Sequence, residues 1–216
     1  MFRNLLLDWS GTLADDLPPV IEATNGVLRH FGQAELNREQ FKARFQLPFA
    51  RFYQEILPGV PMEELEPIFQ DHFRASDQPV TILPQTLGFL EACRLRGRRL
   101  FILSSAHQEH LDEQVWALGL AAFFEKVYGS VRDKRERILH LLEDHDLDPQ
   151  ETAFIGDMQH DVETARHAGV RSIAVLTGYN SEAMLREAKP DHLFANLDGV
   201  LAWWTEQAGQ DFLAKD

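Results

Sequence analysis

Four short apolar runs, each stopped by a small or polar residue, constrain this chain more than any other feature. They are Asn4–Leu7 before Asp8, Arg99–Leu103 before Ser104-Ser105, Thr152–Ile155 before Gly156-Asp157, and Ser172–Leu176 before Thr177-Gly178. Runs of this length bounded by turn formers read as strands buried on both faces. A fifth, weaker run is Lys126–Tyr128, before Gly129-Ser130. Between them, apolar residues recur at helical spacing over Leu83–Arg96, Gln108–Leu118, Arg135–His145 and Val162–His167, the last closed by Gly169. Strand alternating with helix predicts an α/β protein: a Rossmann-like, doubly wound parallel sheet with crossover helices.

One stretch breaks the alternation. From about Ala14 to Val80 the pattern is helical throughout: Pro18–Phe31 closed by Gly32, then Asn37–Phe45, Pro48–Leu57 and Pro61–Ala75. Asn37 with Gln40 has the form of a capping box, and Pro58-Gly59 is a breaker. The division predicted is a core of residues 1–14 and 81–216 with a small all-helical cap domain inserted at 15–80, set over the strand ends. Tail residues Asp191–Asp216 add a short apolar piece and a helix whose Trp203-Trp204 are read as packing.

Bulk composition limits the partners. With 216 residues, 44% apolar content and fifteen Phe, the chain can bury a sizeable core. Its formal charge of −13 argues against nucleic acid or an anionic membrane as a main partner. A small anionic ligand remains compatible, because a metal and a few local donors reverse the sign inside one cleft. The lone Cys93 forms no disulfide framework and falls in an apolar helical stretch, so it is expected in the core. Leu5-Leu6-Leu7 is too short for a membrane span, and no charged-then-apolar leader is seen, so a soluble, cytoplasmic protein is expected. Oligomeric state is not legible.

Ligands of open parallel sheets bind beyond the carboxyl ends of the strands, and chemistry clusters there. Asp8 opens Asp8-Trp9-Ser10-Gly11-Thr12-Leu13; Ser104-Ser105 end the next long run; Lys134 opens a helix; Gly156-Asp157 is followed four residues later by Asp161. Asp8 and Asp157, from separate strands, can share a hard cation such as Mg²⁺. Ser104, amides near Gly11 and Ser105, and Lys134 can hold phosphoryl oxygens. Asp8 would then attack phosphorus, giving an aspartyl-phosphate that water removes. Ser104 and Ser105 are alternatives for the hydroxyl, and Arg132 or Arg135 for the cation.

This ordered set resembles the haloacid dehalogenase superfamily of hydrolases, in the branch of phosphoglycolate phosphatases and phosphonatases. The similarity runs through Asp-Trp-Ser-Gly-Thr-Leu, the strand-end serine, the isolated lysine, Gly-Asp-Met-Gln-His-Asp, and the closing Ala168-Gly169-Val170 and Thr177-Gly178-Tyr179. The resemblance implies Asp8 as nucleophile and metal ligand, with the Ser10 carbonyl and Asp157 as further ligands and Asp161 beside them. It assigns phosphate binding to Gly11, Thr12, Ser104, Ser105 and Lys134, and implies Mg²⁺ as cofactor.

Ser10 departs from that family's phosphatases, which carry a second aspartate there as general acid and base. A metal contact through the Ser10 carbonyl survives; proton transfer worth about 10²–10⁴ in rate is removed. Three readings compete. The first is a phosphatase of a small metabolite with its acid–base relocated, His107 or His110 being candidates. The second is carbon–phosphorus cleavage like that of phosphonoacetaldehyde hydrolases, which share Asp-Trp and a small residue in place of the second aspartate. That chemistry needs a cap lysine, and Lys42 stands alone at 15–80, in a helical context read as a solvated face. The third is a phosphate-binding phospho-acceptor with little turnover. Dehalogenation ranks lower, because Asp157 with Asp161 suits a metal site. His160 is read as a helix-face residue, and Trp9 as cleft wall or packing. Arg44, Phe45, Phe49 and Arg51 are candidate cap linings.

Overall fold

The computed structural model describes residues 2–213. Six strands form one parallel sheet: β1 (Asn4–Leu7), β4 (Arg99–Leu103), β5 (Lys126–Tyr128), β6 (Thr152–Gly156), β7 (Arg171–Val175) and β8 (His192–Phe194). Their order is β5-β4-β1-β6-β7-β8, so β1 is central. Leu7 of β1 lies in register with Ile102 of β4 and Ile155 of β6. The chain builds outward from β1 on one side, then crosses it and builds outward on the other. The switch point therefore falls at the carboxyl end of β1, where the topology opens a crevice.

Alternation along β1 explains the layers. Leu5 and Leu7 point into a cluster with Phe89 and Leu90 of α5 (Thr86–Leu95), Leu111 and Val115 of α6 (Gln108–Ala117), and Val200 and Trp204 of α10 (Leu197–Leu213). Leu6 points the other way, onto Ile138 and Leu141 of α7 (Lys134–Asp144) and Ala165 of α8 (Gln159–His167). A strand buried on both faces needs apolar residues at every position, hence the unbroken run. Cys93 lies buried in the first cluster, where burial pushes its thiol pKa up to about 12. Trp204 is buried, and Trp203 packs partly buried beside it. The helix α9 (Glu182–Ala188) completes the layer beside β7 and β8.

Between β1 and β4 the chain makes a two-stranded ribbon, β2 (Ala14–Asp15) with β3 (Thr81–Ile82), enclosing four helices. These are α1 (Leu17–His30), α2 (Arg38–Arg44), α3 (Phe49–Ile56) and α4 (Met62–Ala75). The capping box of Asn37 and Gln40 forms in both directions, at 2.8 and 3.0 Å. The ribbon itself, only two residues a side, gave no periodic signal in the sequence. The helices share an aromatic cluster of Phe41, Phe45, Phe52 and Tyr53 that extends onto Met158 and Tyr179 of the sheet unit. No described helix is long and apolar enough to cross a membrane.

Candidate active site

Asp8 leaves the carboxyl end of β1, flanked by the ends of β4 and β6. Its Oδ1 accepts the Trp9 amide at 2.8 Å and lies 2.8 Å from Nζ of Lys134. Nζ also donates to Oδ1 of Asp161 at 2.7 Å, and Oδ2 of Asp161 accepts the Met158 amide. Asp157 accepts the Thr12 hydroxyl on Oδ1 and the Tyr179 amide on Oδ2, at 3.1 and 2.6 Å. Oxygens of Asp8, Asp157 and Asp161 lie within 4.8 Å of one another, all three residues buried.

Of the three candidate cations in the charge-rich run, the structure brings Lys134 inward. It is fully buried, whereas Arg132 is exposed and Arg135 pairs with Asp133 at 2.7 Å. Burial works against the Lys134 charge, but Asp161 and Asp8 outweigh it and hold its pKa above the ordinary lysine value. Burial raises the pKa of Asp8, against the attraction of Lys134 and with repulsion from Asp161. Asp157 is raised well above a normal carboxylate, first by burial and then by Asp8 and Asp161. Three buried carboxylates thus face one ammonium. Hard oxygen donors with surplus negative charge fit a divalent cation of the magnesium kind.

Glycines hold this geometry. Gly11 has φ +72°, and a Cβ there would come within 2.6 Å of the Gly178 backbone and 2.7 Å of Asp157. A Cβ on Gly178 would fall on the Asp157 carboxylate itself. The two loops therefore close around Asp157 only because neither carries a side chain. Thr177 ties them further by donating to the Gly11 carbonyl at 2.6 Å.

The remaining expected residues divide. Ser104 is buried, its Oγ accepting the Ala106 amide at 3.1 Å, and Ser105 is half-buried. The Gly11 amide donates to Ala14 and the Thr12 hydroxyl to Asp157, so both groups are engaged within the turn. Trp9 is fully buried in the sheet-side cluster, its indole donating to Gln114, so of the two alternatives it packs and does not wall the cleft. His160 is buried rather than on an open helix face, 3.9 Å from Asp133. The His107 and His110 rings lie 5.2 Å apart at a tilt, and His110 stacks on Phe73 and meets Arg74 of α4 instead of the acidic cluster. Arg44 and Arg51 are exposed, while Phe45 and Phe49 pack in the helical cluster.

Lys42 corrects a sequence expectation. It is half-buried, and its Nζ donates to the Gly178 carbonyl at 2.5 Å, beside Asp157. Its ammonium meets another part of the protein, while Arg38, Glu39 and Arg44 of the same helix stay exposed.

Asp16 and Tyr179 form a feature that sequence reasoning missed. Asp16 is 4% exposed, and its two oxygens accept from Ser10 Oγ at 2.5 Å and from the Tyr179 hydroxyl at 2.8 Å. Burial pushes its pKa up to about 6, against the lowering effect of those hydrogen bonds. The available signal was the Asp15-Asp16 pair at the entry to the helical insert.

A central-strand carboxylate, a buried lysine and two more carboxylates thus gather at the switch point of a doubly wound sheet, where α/β hydrolases place their chemistry. The family model of haloacid dehalogenase-like hydrolases matches residues 5–175, and the chain belongs to that family. It is 25% identical over 203 residues to a phosphoglycolate phosphatase of Synechococcus elongatus, covering 92% of this chain and 95% of that one. It is 28% identical over 207 residues to a 5'-nucleotidase of Pseudomonas aeruginosa, covering 91% and 92%. A haloacid dehalogenase-like hydrolase from Streptococcus pneumoniae superposes with a TM-score of 0.85 at 22% identity, over 94% of this chain and 98% of that one.

Proposed function

We propose that the protein is a Mg²⁺-dependent phosphatase of a small soluble phosphate monoester, working through an aspartyl-phosphate at Asp8. The observation that carries this is the hold on Asp8. Lys134 and the Trp9 amide take Oδ1, which leaves Oδ2 as the attacking oxygen. Asp8, Asp157 and the Ser10 carbonyl would hold the ion, with Asp161 at its edge; when bound it supplies charge neutralisation for the transferring phosphoryl group. Lys134 steadies both the nucleophile and the incoming anion, and Asp161 keeps its ammonium aimed. Ser104 and Ser105, just beyond the carboxyl end of β4, would meet phosphoryl oxygens. The unit at 15–80 acts as a cap: Tyr179, Phe41 and Phe45 pack together where it meets the sheet unit, a dry seam that excludes water on closure. Relatives named for a two-carbon phosphate and for nucleotides support a small substrate and leave its identity open.

The test is p-nitrophenyl phosphate hydrolysis with and without Mg²⁺. Turnover should need the ion and vanish in Asp8→Asn, with stoichiometric phosphate trapped on Asp8 in acid-quenched wild type. Ion-independent turnover, or turnover surviving Asp8→Asn, would reject the mechanism.

A second reading is favoured by one contact, that of Lys42 with Gly178. An amine at this seam suits imine formation with an aldehyde, the route to carbon–phosphorus cleavage. Borohydride trapping with phosphonoacetaldehyde should label Lys42 if that reading holds. An unlabelled Lys42 removes it.

A further inference from the structure

We propose that Lys42 is a positioning residue: it couples docking of the helical cap to the orientation of Asp157, through the one peptide unit between Gly178 and Tyr179. The inference rests on the phosphatase reading above, in which Lys42 forms no bond to substrate, and links that reading's cap to its metal ligand.

The two ends of that peptide carry the argument. Its carbonyl oxygen, on Gly178, accepts from Lys42 Nζ at 2.5 Å. Its amide, on Tyr179, donates to Oδ2 of Asp157 at 2.6 Å. A cation on the oxygen of a peptide polarises it, and the N–H at the other end becomes a stronger donor. Lys42 thus reaches Asp157 without touching it. Among the described residues the Tyr179 amide is the one hydrogen-bond donor to Oδ2, while Oδ1 takes the Thr12 hydroxyl at a longer 3.1 Å. That hold works against repulsion, because oxygens of Asp8 and Asp161 lie within 4.8 Å of Asp157. Keeping the three carboxylates converged before a cation arrives is what the bond contributes.

The cap places this lysine from both sides. Lys42 lies on α2 between Phe41 and Phe45, whose ring centroids are 6.2 and 4.8 Å from that of Tyr179. One helix therefore grips the Tyr179 side chain and the carbonyl that precedes it. Arg38 and Arg44 of α2 are exposed, so of the cations on this helix only Lys42 is withdrawn from solvent. On the core side, Gly178 leaves the peptide close to Asp157 because a Cβ there would fall on the carboxylate. When the cap swings away the ammonium leaves with it, and the Tyr179 amide reverts to an ordinary donor. By linkage the coupling is reciprocal: a cation on Asp157 favours the docked cap. Groups that hydrogen-bond a metal-binding carboxylate are typically worth about 10–100-fold in affinity. Lys42 acts one bond further out, so the lower end of that range applies.

The experiment titrates Mg²⁺ by calorimetry, without substrate, into wild type, Lys42→Met and Lys42→Arg. Methionine keeps the helix preference and the apolar stem of lysine, so the variant isolates the charge. Plain Coulomb repulsion predicts that removing a nearby cation tightens Mg²⁺. The coupling predicts the opposite sign: Lys42→Met should raise Kd about tenfold, and Lys42→Arg, which keeps a charged donor, should stay within about threefold of wild type. In EDTA-treated protein the Tyr179 amide proton should resonate further upfield in Lys42→Met than in wild type, with no ion present to cause it. In wild type itself, Mg²⁺ should slow acetylation of Lys42, followed by mass spectrometry, by about the same tenfold. An unchanged or lowered Kd in Lys42→Met would overturn the proposal. Equal weakening by Met and Arg would overturn it too, by making packing the cause, as would a Tyr179 amide blind to the change or an acetylation rate blind to Mg²⁺. Binding is read without turnover, so wild type that holds Mg²⁺ yet hydrolyses no ester rejects the phosphatase reading alone; wild type that holds none rejects both.

Discussion

The ammonium of Lys134 lies 2.8 Å from Oδ1 of Asp8, and both residues are shut away from solvent. Such a pair is held by mutual dependence. Each charge is tolerable in the interior only because the other is there, and Asp161 shares the same ammonium.

Replacing Lys134 with Met should therefore destabilise the metal-free protein by about 3–5 kcal/mol at pH 8. At pH 5 the deficit should be smaller, because carboxylates stripped of their counter-charge take up protons. Urea unfolding of both proteins at the two pH values checks this. A deficit independent of pH would mean that packing, not charge, is what Lys134 contributes.

Asp157 makes the opposite prediction. An acid whose folded pKa is raised loses stability as pH climbs from its unfolded value, so at pH 8 this carboxylate opposes folding. Asp157→Asn can keep its oxygen on the Tyr179 amide while its NH2 donates to the Thr12 hydroxyl, and should stabilise the metal-free protein by roughly 1–3 kcal/mol. The same change should remove the gain from Mg²⁺, which at about a hundred times Kd adds roughly 2.7 kcal/mol to a protein that binds it. Melting curves with EDTA and with Mg²⁺ should cross over between the two proteins.

Gly178→Ala places a methyl on the Asp157 carboxylate. The carboxylate has to swing aside, and displacement of this order costs about 10²-fold in turnover. Steady-state kinetics across a Mg²⁺ titration reads the result; wild-type kcat would show that the loop yields instead.

Asp133 caps α7 by accepting the Arg135 amide and guanidinium, which hold its pKa down to about 2. A depressed folded pKa stabilises above the unfolded value of 3.8 and is lost as pH falls toward about 2. Asparagine also caps well, so Asp133→Asn isolates the charge. The expected loss at pH 7 is about 1 kcal/mol after screening at this partly exposed site. It should fade between pH 4 and 2 in a denaturation series.

Much of the sheet was legible because buried parallel strands and amphipathic helices write their periods locally. The runs ending at Leu7, Leu103 and Ile155, and helices such as Gln108–Ala117, fall within a residue or two of their expected bounds. The helix start favoured Lys134 but left Arg132 and Arg135 open, and only the burial of Lys134 separates them. The two-residue ribbon of β2 and β3 lacks the length for a period to show.

By itself, then, the sequence determined the strand order of chemistry: a carboxylate, serines, a lysine and a carboxylate pair, each at the end of an element whose period is local. Tertiary structure decided who meets whom across the seam. Lys42 reaches Gly178, 136 positions away, and Tyr179 reaches Asp16 across 163. A lysine on a polar helix reads as solvent-facing until another unit displaces the water, and an aspartate before a helix reads as a cap until a tyrosine claims it. Those partners are chosen by packing between distant segments, which no local period encodes.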